Sequence, residues 1–184
     1  MSAFSFSLLD SEKEYLKNLV KAAIGTRLDG QEDAELPEPP TLKVKAPLGA
    51  FVTLKLDGKL RGCIGNIQGA GELHRTVWNM ARAAAFDDPR FPPLTKAEFD
   101  RLEIEISVLS AVEPCPDVNE VRVGRHGLVV QRGHQSGLLL PQVAVEWGWD
   151  GPKFLSQTCV KAGLAPDAWH KLGTKIFWFE AEVF

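Results

Sequence analysis

Apolar and polar residues along the chain follow two periods in turn, and the switches between them outline the elements. From Ser11 to about Leu28 the apolar positions Tyr15, Leu16, Leu19, Val20, Ala23 and Ile24 recur at helical spacing, with Ser11 and Glu14 as a capping box and Gly30 as the stop. The stretch QEDAELPEPP at 31–40 carries Pro37, Pro39 and Pro40 and predicts a solvated acidic loop. Two strand-like runs, GAFVTLKL and KLRGCIGNI, then flank Asp57-Gly58, a pair suited to the positive φ angles of a two-residue hairpin turn. A hairpin closed there pairs Val52 with Cys63 and Leu54 with Arg61, and puts Arg61 and Cys63 on one face.

A second amphipathic helix is predicted from Gly71 to about Asp87, ending into Asp88-Pro89. Thr95 and Glu98 form another capping box, ahead of the alternating strand LEIEISVL at 102–109, which turns Leu102, Ile104, Ile106 and Val108 to one side. Short strands are expected at 121–124, 127–132 and 137–145. A third helix is expected from Gly151 to Ala162 between Asp150 and Gly163, followed by a closing strand, KIFWFEAEVF. Helices and strands are mixed without βαβ alternation, which predicts an α+β fold.

Composition narrows the function classes. A chain of 184 residues with 45% hydrophobic positions can bury a core without staples. Cys63, Cys115 and Cys159 form no disulfide framework and no zinc-ligand spacing. No long apolar run or basic leader is present, so the expectation is a cytoplasmic protein with no membrane segment. The formal charge is −3; setting aside the four acids of 31–40 leaves +1, with no basic stripe, and nucleic acid is not expected as a partner.

The densest chemical signal is LRGCIG at 60–65. Glycines on both sides of Cys63 let a backbone or ligand approach the sulfur, and a nearby guanidinium favours a nucleophilic thiolate. A buried cysteine in a glycine-kinked strand is the competing interpretation. In AFDDPRFPPL, proline-stiffened backbone fixes Arg90 as an anion ligand would require, although Asp88 and Arg90 could simply pair. His126, at a strand start, could serve as proton carrier, and Gln142 after Pro141 could sit at the mouth of a cleft. His74, His126, His134 and His170 show no metal spacing, and there is no P-loop, GxGxxG after a strand, or GxSxG.

LRGCIG, AFDDPRFPPL, LEIEISVL, GRHGLVV, LLLPQVAVEWGWD and CVKAGL, in that order, closely resemble the AMMECR domain family from about Leu8 to Phe184. The resemblance implies a single domain over 1–184, an α+β fold with a larger and a smaller lobe, a largely antiparallel sheet and flanking helices. It marks Arg61, Gly62, Cys63 and Gly65, then Asp88, Arg90, His126 and Gln142, as site candidates. It brings no established activity, substrate or cofactor. Prokaryotic relatives are often encoded beside a radical-enzyme-type and a metal-dioxygenase-like protein, which implies a shared small-molecule pathway. This chain lacks the cysteine triplet of a radical enzyme.

Two functions follow as expectations. In the first, an enzyme-like site in a cleft between the lobes acts on a small anionic molecule. Cys63 is then nucleophile or acid/base and His126 the proton carrier, while Arg61, Gly62, Gly65, Asp88, Arg90 and Gln142 bind substrate, with no metal or cofactor. In the second, the same motifs form a non-catalytic interaction surface for a protein partner of that pathway.

Overall fold

A computed structural model describes residues 7–31, 34–69 and 71–184. Glu32 and Asp33, part of the predicted acidic loop, lie outside the described residues, while residues 34–39 carry no regular structure, as expected. The chain divides into two compact units, the first ending at Leu109 and regaining Glu182–Phe184, the second spanning Ser110–Ala181. Helices and antiparallel strands occur in both, which makes the fold α+β. Among the described residues no helix is long and apolar enough to cross a membrane.

The first unit contains α1 (Asp10–Leu28), β1 (Gly49–Leu56), β2 (Lys59–Asn66), α2 (Leu73–Phe86), α3 (Lys96–Phe99) and β3 (Leu102–Leu109). Its strands run antiparallel in the order β2-β1-β3. The apolar faces predicted for both long helices meet the sheet. Leu16, Leu19, Val20, Ala23 and Ile24 of α1 and Leu73, Val77, Ala81 and Ala84 of α2 enclose Ala50, Val52, Leu54, Ile106 and Val108. Helix α1 is capped two residues earlier than predicted, with Leu9 rather than Ser11 as its N-cap. Glu12, rather than Glu14, accepts the Leu9 amide at 2.8 Å, and it also takes the Thr41 hydroxyl at 2.6 Å. Burial raises the Glu12 pKa, but these bonds and Lys43 outweigh it and leave the carboxyl lowered.

The hairpin forms at Asp57 (φ 51°) and Gly58 (φ 72°), as the dipeptide predicts. Its register differs from simple alternation. Lys55 faces Leu60 and Leu54 faces Gly62, so Arg61 is an extra, unpaired residue in a β-bulge. From there on every pairing moves by one: Thr53 faces Cys63 and Val52 faces Ile64. Gly62 therefore shares the core-facing side with Leu54, and Cys63 occupies the opposite side with Thr53. The expected Val52–Cys63 and Leu54–Arg61 pairs do not form, because the bulge reverses the phase of the strand.

The second unit contains β4 (Glu113–Pro114), β5 (His126–Arg132), β6 (Gln135–Leu139), α4 (Pro141–Glu146), α5 (Gly151–Lys161) and β7 (Lys175–Val183), whose last residues belong to the first unit. Strand β5 pairs with β6 and β7, and β4 with β7, all antiparallel. Leu128, Ala144, Phe154 and Leu155 form one apolar cluster and Val130, Cys159 and Ala168 another. Two predicted strands are corrected here. Residues 121–124 turn through Gly124 (φ 83°), with the Arg122 carbonyl accepting the Arg125 and His126 amides. The run 137–145 ends as strand at Leu139, because Pro141 takes the first position of α4, where a missing N–H costs nothing. Helix α5 has its predicted cap, Asp150 accepting the Lys153 amide at 2.8 Å.

Candidate functional site

Strand β2 is an edge of the β2-β1-β3 sheet, so the outward N–H and C=O groups of Cys63 need partners from elsewhere. The segment after α2 supplies them. Asp88 accepts the Cys63 amide at 2.9 Å, and Arg90 donates to the Cys63 carbonyl at 3.2 Å. The two side chains also grip each other: Arg90 Nε and Nη2 reach the Asp88 carboxylate at 3.0 and 2.8 Å, and the Arg90 amide does so at 3.1 Å. Asp88 is buried, and the Arg90 guanidinium holds its carboxyl well below the usual carboxylate range. Asp88-Pro89-Arg90 thus acts as a side-chain substitute for a neighbouring strand, one residue long.

Arg61 is held by a second clamp. Its Nε and Nη2 meet Glu98 at 2.8 and 3.3 Å, and Nη2 also donates to the Pro92 carbonyl at 2.8 Å. Arg61 is buried. Glu98 takes the Thr95 amide and hydroxyl, both at 2.9 Å, which makes the predicted capping residue the partner of Arg61 as well. The Arg61 bonds, helped by Thr95, bring the Glu98 carboxyl from 4.5 to about 2.

Glycine is required at 62 for packing. A Cβ there would stand 2.1 Å from the Ala84 carbonyl oxygen, so β2 and the end of α2 touch backbone to backbone. At 65 the ring of Phe51 occupies the space, with 2.3 Å to an added Cβ. The Cys63 thiol is half-buried, and the Thr53 hydroxyl donates to its Sγ at 3.3 Å. Arg90 Nη1 takes no part in the bonds above, and the Arg90 side chain is 54% exposed. Burial pushes the Cys115 and Cys159 thiols up.

Arg61, Gly62, Cys63, Gly65, Asp88 and Arg90 are therefore drawn together in the first unit. His126 and Gln142 belong to the second. His126 begins β5, its ring tilted against Trp178 with centroids 4.5 Å apart, and its Nδ1 accepts the Arg122 amide at 3.2 Å. That bond places the ring proton on Nε2. Burial lowers the His126 pKa. Gln142 lies, half-buried, in the first turn of α4. Among the described residues no group of three His, Cys, Asp or Glu side chains is arranged to hold a metal. Thr53 and Glu98 were absent from the sequence-derived site. Thr53 was legible only as the polar position between Val52 and Leu54, and Glu98 only as a helix cap.

Residues 17–184 match the AMMECR1 family. Among relatives, a protein of Methanothermobacter thermautotrophicus is 41% identical over 179 residues, covering 94% of this chain and 93% of that one. One from Thermococcus gammatolerans is 44% identical over 191 residues, covering 97% and 92%. The crystal structure of the uncharacterized protein PH0010 from Pyrococcus horikoshii superposes with a TM-score of 0.89 at 40% identity, covering 97% of this chain and 93% of that one.

Proposed function

The chain belongs to the AMMECR1 family, and from that premise we propose that its function resides in a small-molecule site of the first unit centred on Cys63. Cys63 is the reacting group, and the half-exposed Arg90 meets a negatively charged ligand. The observation that supports this most is the convergence on one residue. The amide, carbonyl and sulfur of Cys63 each have a dedicated side-chain partner, in Asp88, Arg90 and Thr53. Fixing a functional group through its neighbours is what a site with demanding geometry needs. Gly62 and Gly65 keep the strand close-packed around it. Arg61, tied to Glu98, positions the bulge and leaves anion recognition to Arg90. Only groups of the first unit enter this site.

The test is charge selectivity of alkylation in the native protein. Cys63 should prefer iodoacetate to iodoacetamide several-fold more than Cys115 does, and Arg90→Gln should remove that preference. Equal selectivity at Cys63 and Cys115 would eliminate the anion-binding role. A second reading, a non-catalytic interaction surface, draws support from the internal neutralisation of Arg61 by Glu98 and of Arg90 by Asp88. It requires Cys63 to be inert in the folded chain.

A further inference from the structure

Once Asp88 and Arg90 have fixed the backbone of Cys63, the freedom left to that residue is rotation of its thiol. The observed bulge register sets Thr53 directly opposite, on the sheet face away from the buried Val52 and Leu54. Its hydroxyl reaches Sγ at 3.3 Å. A β-branched side chain in a strand has restricted χ1, so this donor is held in place before any ligand arrives. Valine suits a strand position as well as threonine does and has nearly the same shape; the hydroxyl is what threonine adds. A donor aimed at sulfur supports the negative charge that a nucleophilic sulfur carries.

We infer that Thr53 is the positioning residue of this site, orienting the Cys63 sulfur and donating to it as it attacks an electrophilic substrate. The inference rests on the Cys63 reading above. In the reaction that tests it, Cys63 Sγ bonds to the methylene carbon of iodoacetamide, iodide leaves with the bonding pair, and the thiol proton passes to buffer.

The experiment measures the alkylation rate of Cys63 at pH 7 by peptide mass spectrometry, with Cys115 in the same sample as an internal report on folding. Thr53→Val should slow Cys63 about tenfold, the usual scale for losing one charge-assisted hydrogen bond, and leave Cys115 unchanged. Thr53→Ser, which keeps the hydroxyl, should restore the rate to within about twofold of wild type. A Cys63 that is reactive in wild type and equally reactive in Thr53→Val overturns the role of Thr53 and leaves the Cys63 site standing. Equal slowing by valine and serine reduces Thr53 to packing and overturns the inference too. Should Thr53→Val disturb Cys115 as well, Thr53→Ala takes its place as the variant without the hydroxyl, and a Cys63 as reactive in Thr53→Ala as in wild type overturns the role of Thr53. A Cys63 that resists alkylation in the folded wild type overturns both proposals.

Discussion

Replacing Glu98 by glutamine keeps the shape of the side chain and removes the charge opposite Arg61. In the folded chain the Glu98 carboxyl lies at about 2 instead of 4.5, chiefly because Arg61 donates to it at 2.8 and 3.3 Å. At about 1.4 kcal/mol per pH unit this corresponds to roughly 3 kcal/mol of stability at neutral pH. The pair is shielded enough to keep most of it, Glu98 being 28% exposed and Arg61 9%. A carboxyl lowered by folding stabilises fully above its unfolded value of 4.5 and loses that contribution as pH falls toward about 2. The margin of wild type over Glu98→Gln should therefore be about 3 kcal/mol at pH 7, hardly smaller at pH 5, and less than half of that at pH 3. Urea unfolding followed by tryptophan fluorescence at these three pH values measures it. A margin below about 0.5 kcal/mol at pH 7, or one that stays constant down to pH 3, would refute the assignment of Arg61 to Glu98.

Three further substitutions probe the same architecture. Gly62→Ala should cost about 1–3 kcal/mol by driving a methyl into the Ala84 carbonyl, whereas Gly71→Ala, with open space around it, should be near neutral; thermal unfolding compares them. Asp88→Asn should speed amide exchange at Cys63 at least tenfold, because the charged acceptor at 2.9 Å is lost; hydrogen exchange read at that residue checks it. Burial lowers the His126 pKa below 6.5, so the unfolded chain binds its proton first, and stability falls as pH drops through 6.5 toward the folded value. Wild type should lose more stability between pH 7 and pH 5 than His126→Asn does, as denaturation at both pH values will read.

Much of the fold follows from local signals that act over a few residues. The apolar faces of α1 and α2, the Asp57-Gly58 turn and the Asp150 cap all appear where the pattern places them. The bulge at Arg61 has no such signal, since LRGCIG contains no clean alternation to break. Its cause lies 37 residues away in Glu98, with the Pro92 carbonyl as the other anchor. Pro141 shows the same limit from another side: an apolar run with proline inside fits a strand end or a helix start equally well, and packing on Leu128 and Phe154 through Ala144 favours the helix. Cys63, Asp88 and Arg90 were legible as site candidates by their motifs, and their assembly into one clamp follows from the edge position of β2. Thr53 enters the site only through the shifted register.

The most direct test of a functional Cys63 is the order in which the three cysteines of the native wild-type chain react with iodoacetamide at pH 7, read by peptide mass spectrometry. Cys63, half-buried, glycine-flanked and supplied with a donor, should react first. Cys115, whose thiol burial pushes up, should follow, and the fully buried Cys159 should react last. A native chain in which Cys63 is as protected as Cys159 would contradict a reacting role for it and leave the motifs as an interaction surface.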